Sequence, residues 1–118
     1  MNYWSMPSLK LRQKANKKKI NLIDNIINEV AKFYSLTPED VKSKCRKRNI
    51  VKARFIAIYI IREETDLSLN DIAKIFNRDH STIIHSIRII NDTLSLKYET
   101  DISEELQEIK KIINNFTY

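Results

Sequence analysis

The side chains best suited to recognition chemistry are clustered at Asp79-His80-Ser81-Thr82. They supply a carboxylate acceptor, an imidazole and two hydroxyls that donate or accept. A carboxylate can accept from the cytosine amino group, and hydroxyl and imidazole groups can pair with other base edges or meet a thymine methyl. The four polar residues run directly into an apolar stripe, Ile83, Ile84, Ile87, Ile90 and Leu94. A helix that begins polar and buries its remainder can push its first turn into a DNA major groove while its body stays docked. Catalytic chemistry has no comparable cluster. Glu63-Glu64 and Glu104-Glu105 are adjacent acids that point apart on a helix, with no nucleophile beside them. His80 and His85 are five residues apart and face different directions, which argues against a shared metal. The expectation is therefore no catalytic residue, no metal and no cofactor.

Charge reinforces the reading. The net charge is +6, and residues 1–20 carry Lys10, Arg12, Lys14, Lys17, Lys18 and Lys19 with no acid. A second acid-free block at residues 42–54 holds Lys42, Lys44, Arg46, Lys47, Arg48, Lys52 and Arg54. Residues 99–108 reverse the sign, with Glu99, Asp101, Glu104, Glu105 and Glu108 and no base. A surface polarised in this way suits a polyanion on one side.

These side chains need a frame, and the frame reads as helical. The 118 residues suffice for a single domain with a real core. Glycine is absent and proline occurs only at Pro7 and Pro38, which disfavours tight hairpins and excludes a phosphate-cradling P-loop. No nucleotide is expected to bind. Apolar spacings of three and four predict about six helices, near residues 22–34, 38–44, 50–64, 69–76, 80–95 and 103–115. The third is apolar nearly all round and should be the central buried helix. Asn21, Thr37, Ser68 and Asp79 are the expected caps, with Pro38 at a first helical position and Asp71 placed to complete a capping box with Ser68. Asn77 occupies the place of a left-handed residue between the fourth and fifth helices. The single cysteine, Cys45, cannot make an internal disulfide, and no apolar run approaches a membrane span. A soluble cytoplasmic protein associated with the nucleoid is expected, with no membrane partner.

From Asp66-Leu67-Ser68-Leu69 through Arg78-Asp79-His80-Ser81-Thr82-Ile83-Ile84-His85, and upstream through Ser43-Lys44-Cys45-Arg46-Lys47-Arg48, Ala53-Arg54 and Ile56-Ala57, the chain resembles the C-terminal DNA-binding domain of DnaA, the bacterial chromosomal replication initiator. The resemblance covers roughly residues 22–116 and implies an all-α, single-domain helix-turn-helix fold over residues 21–118, without the ATPase module. It assigns Asp79, His80, Ser81 and Thr82 to base edges in the major groove. It assigns Arg46 to the minor groove, where a guanidinium suits the negative potential of A·T-rich sequence. Arg54 and Arg62 match basic positions near the backbone and groove edge, Asn70 stands where a proline often meets thymine, and Lys44, Arg48 and Lys52 are phosphate candidates. Phe55 replaces a common glutamine, Ser81 replaces a threonine, and the turn before Arg78 is one residue shorter than the common Phe-Gly-Gly-Arg form. Site preference is expected to shift accordingly.

The implied function is sequence-specific binding of double-stranded DNA at a site like a DnaA box, in replication initiation or its control, in a phage or mobile-element setting. A transcription regulator, a competitor at initiator sites, or an adaptor that kept the fold without DNA binding are the alternatives. Residues 1–20 read as an arm whose Tyr3, Trp4, Met6 and Leu9 would dock a helicase, loader or initiator ahead of a lysine-rich tether.

Overall fold

The computed structural model describes residues 22–96 and 100–117, and among them every regular element is a helix. The arm at residues 1–20, with Tyr3, Trp4, Met6 and Leu9, and the Asn21 cap lie outside the described residues. The order is α1 (residues 22–33), α2 (Pro38–Lys42), α3 (Arg48–Glu64), α4 (Leu69–Phe76), α5 (His80–Leu94) and α6 (Asp101–Thr117).

The boundaries follow local hydrogen bonding. Thr37 and Asp40 form a reciprocal capping box at the start of α2, with Pro38 in the first turn. The helix ends at Lys42 rather than Lys44, because Ser43 is extended and its hydroxyl donates to the Asp40 carbonyl at 2.6 Å. α3 starts at Arg48, earlier than the apolar pattern implies. At α4 the Ser68 hydroxyl accepts from the Asp71 amide at 3.1 Å, one half of the expected box. α6 begins at Asp101 instead of Ser103, since Thr100 and Ser103 exchange amide-to-hydroxyl bonds of 2.9 and 3.1 Å. That box uses a serine where a glutamate or glutamine is usual, so the sequence pattern did not reveal it.

A chain without glycine still needs left-handed residues at helix ends, and two supply them. Asn77 has φ 51° and Ser35 has φ 57°. Each sits in a Schellman closure: Arg78 N–H donates to the Ala73 carbonyl at 2.8 Å, and Leu36 N–H to the Ala31 carbonyl at 2.7 Å. Asn77 was legible because asparagine tolerates this conformation, whereas serine at position 35 gave no such sign.

α3 is the hub. Ile56, Ala57, Ile58, Ile60 and Ile61 are all fully buried, and only Phe55 and Tyr59 give the centre of the helix a partly exposed face. It packs against α2, α4 and α5, while α6 lies on α5. Ile23, Ile26, Ile27, Val30 and Ala31 of α1 and Leu106, Ile109 and Ile113 of α6 close the same core. A polar knot fastens the outer helices. The Tyr34 hydroxyl donates to Glu105 Oε2 at 2.8 Å, and Lys52 Nζ approaches the same oxygen at 2.7 Å. Burial foremost, and then the bond to Glu105, raise the Tyr34 pKa, so the hydroxyl remains a donor. On the other side, Lys110 of α6 pairs with Glu63 of α3.

A left-handed serine carries a backbone penalty that glycine avoids. Replacing Ser35 by glycine should raise unfolding stability by about 0.5–1 kcal/mol, net of the added chain entropy of glycine. Urea denaturation of the two proteins measures the difference, and a loss of stability would contradict the Schellman assignment.

Candidate nucleic-acid interface

The exposed end of the α4–α5 pair is built by the turn. The left-handed Asn77 closes α4, Arg78 follows, and Asp79 occupies the cap position of α5 in an extended conformation. The Asp79 carbonyl accepts from the Thr82 and Ile83 amides at 3.0 and 3.2 Å. Its carboxylate makes no capping hydrogen bond, which corrects the expectation of a side-chain cap and leaves the oxygens available outward. Asp79, His80 and Ser81 are exposed and Thr82 is half-buried. One turn later Ile83, Ser86 and Ile90 are buried, so the helix turns inward where the stripe begins. Ser86 was not anticipated in the core. It is fully buried and donates its hydroxyl to the Thr82 carbonyl at 2.9 Å, satisfying itself within its own helix.

The second part is the basic loop between α2 and α3. The Val41 carbonyl at the end of α2 and the Ser43 and Cys45 carbonyls of the loop are taken by arginines. Arg54 Nε donates to Val41 at 3.0 Å and its Nη2 to Cys45 at 2.9 Å, while Arg78 Nη2 donates to Ser43 at 2.6 Å. Along the loop Ser43 and Cys45 are half-buried, whereas the Lys44 and Arg46 side chains are exposed.

Arg54 is thus in the interior, 6% exposed, and not at a groove edge. Burial foremost, and then the neighbouring Arg78 charge, lower its pKa from the ordinary arginine value, with Cys45 acting in the opposite direction. The Arg54 guanidinium stays protonated at neutral pH. Neither Arg54 nor Arg78 makes an ion pair with a carboxylate among the described residues. Positive charge is thereby concentrated behind the loop. Lys52, expected at a phosphate, is half-buried and bound to Glu105.

Lys44, Asn77, Arg78, Asp79 and Thr82 line one cleft of about 380 Å³, so the structure brings the loop to the amino end of α5. Arg46 and Arg48 border a larger, mostly apolar cleft of about 640 Å³ with Phe55 and Ile89. Phe55 meets His85 edge-on, with ring centroids 6.2 Å apart. Arg62 is exposed, donates to the Leu67 carbonyl at 2.8 Å, and shares a third cleft with Arg88 of α5. Asn70 is exposed in the first turn of α4. Sequence reasoning gave Arg78 no role. Its place directly after a left-handed residue was the available signal, but its partner lies 35 residues away. Among the described residues no His, Cys, Asp or Glu group is arranged to hold a metal, and no helix is long and apolar enough to cross a membrane.

Comparison with known proteins places this geometry among relatives. Residues 23–90 match the family described as bacterial dnaA protein helix-turn-helix. Over 102 residues, 86% of this chain, the sequence is 36% identical to the chromosomal replication initiator protein DnaA of Caldanaerobacter subterraneus subsp. tengcongensis. It is 45% identical over 84 residues to the protein of the same name from Streptococcus thermophilus, and 38% identical over 99 residues to that from Nautilia profundicola. The chain spans only 23%, 18% and 22% of those three proteins, respectively. A crystal structure of a DNA replication initiation factor superposes with a TM-score of 0.74 at 31% identity, covering 89% of this chain and 32% of that one.

Arg54→Leu should cost about 2–4 kcal/mol of unfolding stability, because it strips two inward carbonyls of charged donors. Arg46→Ala, at an exposed loop position, should change stability by no more than about 0.5 kcal/mol. Parallel urea titrations give both values, and equal costs would refute the division between a structural and an outward-facing arginine.

Proposed function

Because this chain belongs to the bacterial DnaA helix-turn-helix family, we propose that it binds double-stranded DNA with sequence preference, using both grooves. The observation that carries this reading is the exposed Asp79-His80-Ser81 turn, with Thr82, set beside a cationic loop whose backbone is fixed from within. The first turn of α5 enters the major groove. There the Asp79 carboxylate, free of capping duty, accepts from a base amino group, and His80, Ser81 and Thr82 read neighbouring edges. Arg46 probes the minor groove, and Lys44 and Arg48 grip phosphate on either side of it. Arg62 and Asn70 flank the duplex at the α3–α4 end. Arg54 and Lys52 belong to the supporting frame, not to the contact set.

The role we assign is marking or occupying a site in replication initiation or its control. The name shared by the relatives, chromosomal replication initiator, motivates this. The family match spans residues 23–90, while the chain spans about a quarter of the relatives' length or less. The segment at residues 1–20, with Tyr3, Trp4, Met6 and Leu9, is assigned to docking a replication protein, so that DNA and partner are held by separate parts of one chain.

Phosphate neutralisation dictates how the binding should respond to salt. The logarithm of the association constant should fall linearly with the logarithm of salt concentration, with a slope of about −0.9 per phosphate neutralised. Arg46→Ala should weaken binding about tenfold, within the range of a good groove contact. Selection of bound sites from a random duplex pool, followed by salt titration of the winner, tests both. A salt-insensitive protein that enriches no sequence would be an adaptor instead.

A further inference from the structure

The Arg78 backbone forms the last step before α5, while its side chain crosses to the other DNA-facing element and donates to the Ser43 carbonyl at 2.6 Å. Its Nε is buried without a hydrogen-bond partner, so among the described residues the Ser43 bond of Nη2 is what anchors the side chain. Arg54, from α3, holds the carbonyls on either side of Ser43. The loop is therefore pinned from two elements, α3 through Arg54 and the α4–α5 turn through Arg78. Only the second connection ties the loop directly to the residues that begin α5.

We propose that Arg78 is a positioning residue for DNA recognition. Its bond to Ser43 sets the registration between Arg46 and the Asp79–Thr82 turn, so that both can occupy adjacent grooves of one duplex at once. This rests on the DNA-binding reading above. Two contacts on one rigid body act as a linked pair, and the advantage disappears when their spacing no longer matches the target. The grooves of a duplex have fixed separation, so a loop released from the turn can place Arg46 only at the expense of ordering itself. Arginine suits this task because Nη2 can bond inward on a planar fork that lysine lacks.

The test is a double-mutant cycle with Arg46→Ala and Arg78→Met, using the duplex selected by the unmodified protein. Each single substitution should weaken binding about tenfold, and the double variant should be no more than about threefold worse than Arg78→Met alone, the signature of coupled residues. Arg78→Met should leave the salt slope unchanged, whereas loss of a direct phosphate contact would lower it by about 0.9. Independent multiplication of the two losses, or a reduced slope, would overturn the proposal. Circular dichroism checks folding of each variant. Should Arg78→Met fail to fold, Arg78→Lys takes its place in the same cycle, and additivity there is equally fatal. If the unmodified protein retains no duplex, the DNA-binding reading itself fails, and that result is visible before any variant is compared.

Discussion

The loop between α2 and α3 has no secondary structure to satisfy its backbone, and two arginines do so instead. Val41, Ser43 and Cys45 direct their carbonyls at Arg54 and Arg78, and the loop's course follows from that constraint. A buried carbonyl left without a donor costs about 1–3 kcal/mol, and a charged donor returns more than a neutral one. Ser43 is extended, and its carbonyl and that of Cys45 are engaged by side chains between the end of α2 at Lys42 and the start of α3 at Arg48. The arrangement sets two like charges side by side, which is unfavourable on its own. A phosphate backbone outside the loop would lower that energy, so the strain in the free protein and the attraction to a polyanion have one source.

The arginines can hold the loop only because α3 does not move. Its central isoleucines and alanines are buried, and the helix is clamped between α2, α4 and α5. Isoleucine has restricted χ1 freedom, so a core built from it interlocks with few alternative packings. α6 serves the same end from outside. Its Glu105 takes both the Tyr34 hydroxyl and the Lys52 ammonium, joining α1, α3 and α6 at one oxygen. Acidic residues there neutralise a lysine that belongs to the frame, whereas the cations of the 43–47 loop stay exposed.

Much of this was legible in the sequence. Periodic isoleucines located the longer helices, Thr37-Pro38 located the start of α2, and Ser68 and Asn77 located the ends of α4, because each acts through its immediate neighbours. What escaped depended on contacts between distant residues. Arg54 and Lys52 sit in an acid-free block and looked like surface cations. Only the fold reveals that Arg54 meets carbonyls nine and thirteen residues back and that Lys52 meets a glutamate on the last helix. Arg78 was concealed for the same reason. Asp79 misled in the other direction, since an aspartate before a helix usually caps it, and here the carboxylate does not. Ser86 was not among the residues of the expected α5 stripe, yet its hydroxyl folds back on its own helix and permits full burial.

The same rigidity bears on how so small a surface could discriminate among sequences. Phosphate contacts position a protein without reading bases, so Lys44 and Arg48 would supply affinity for any duplex. Each good base contact adds only about 1–3 kcal/mol of discrimination, and Ser81 has one methyl fewer than the threonine common at its position. A single α5 turn would therefore have limited selectivity, and a second contact in the other groove would multiply it. That gain survives only if Arg46 arrives with its backbone already ordered, because fixing a free residue costs about 1–2 kcal/mol, comparable to the contact itself. A loop pinned at Ser43 and Cys45 has met that cost during folding, which would leave only the Arg46 side chain to be ordered on a bound duplex.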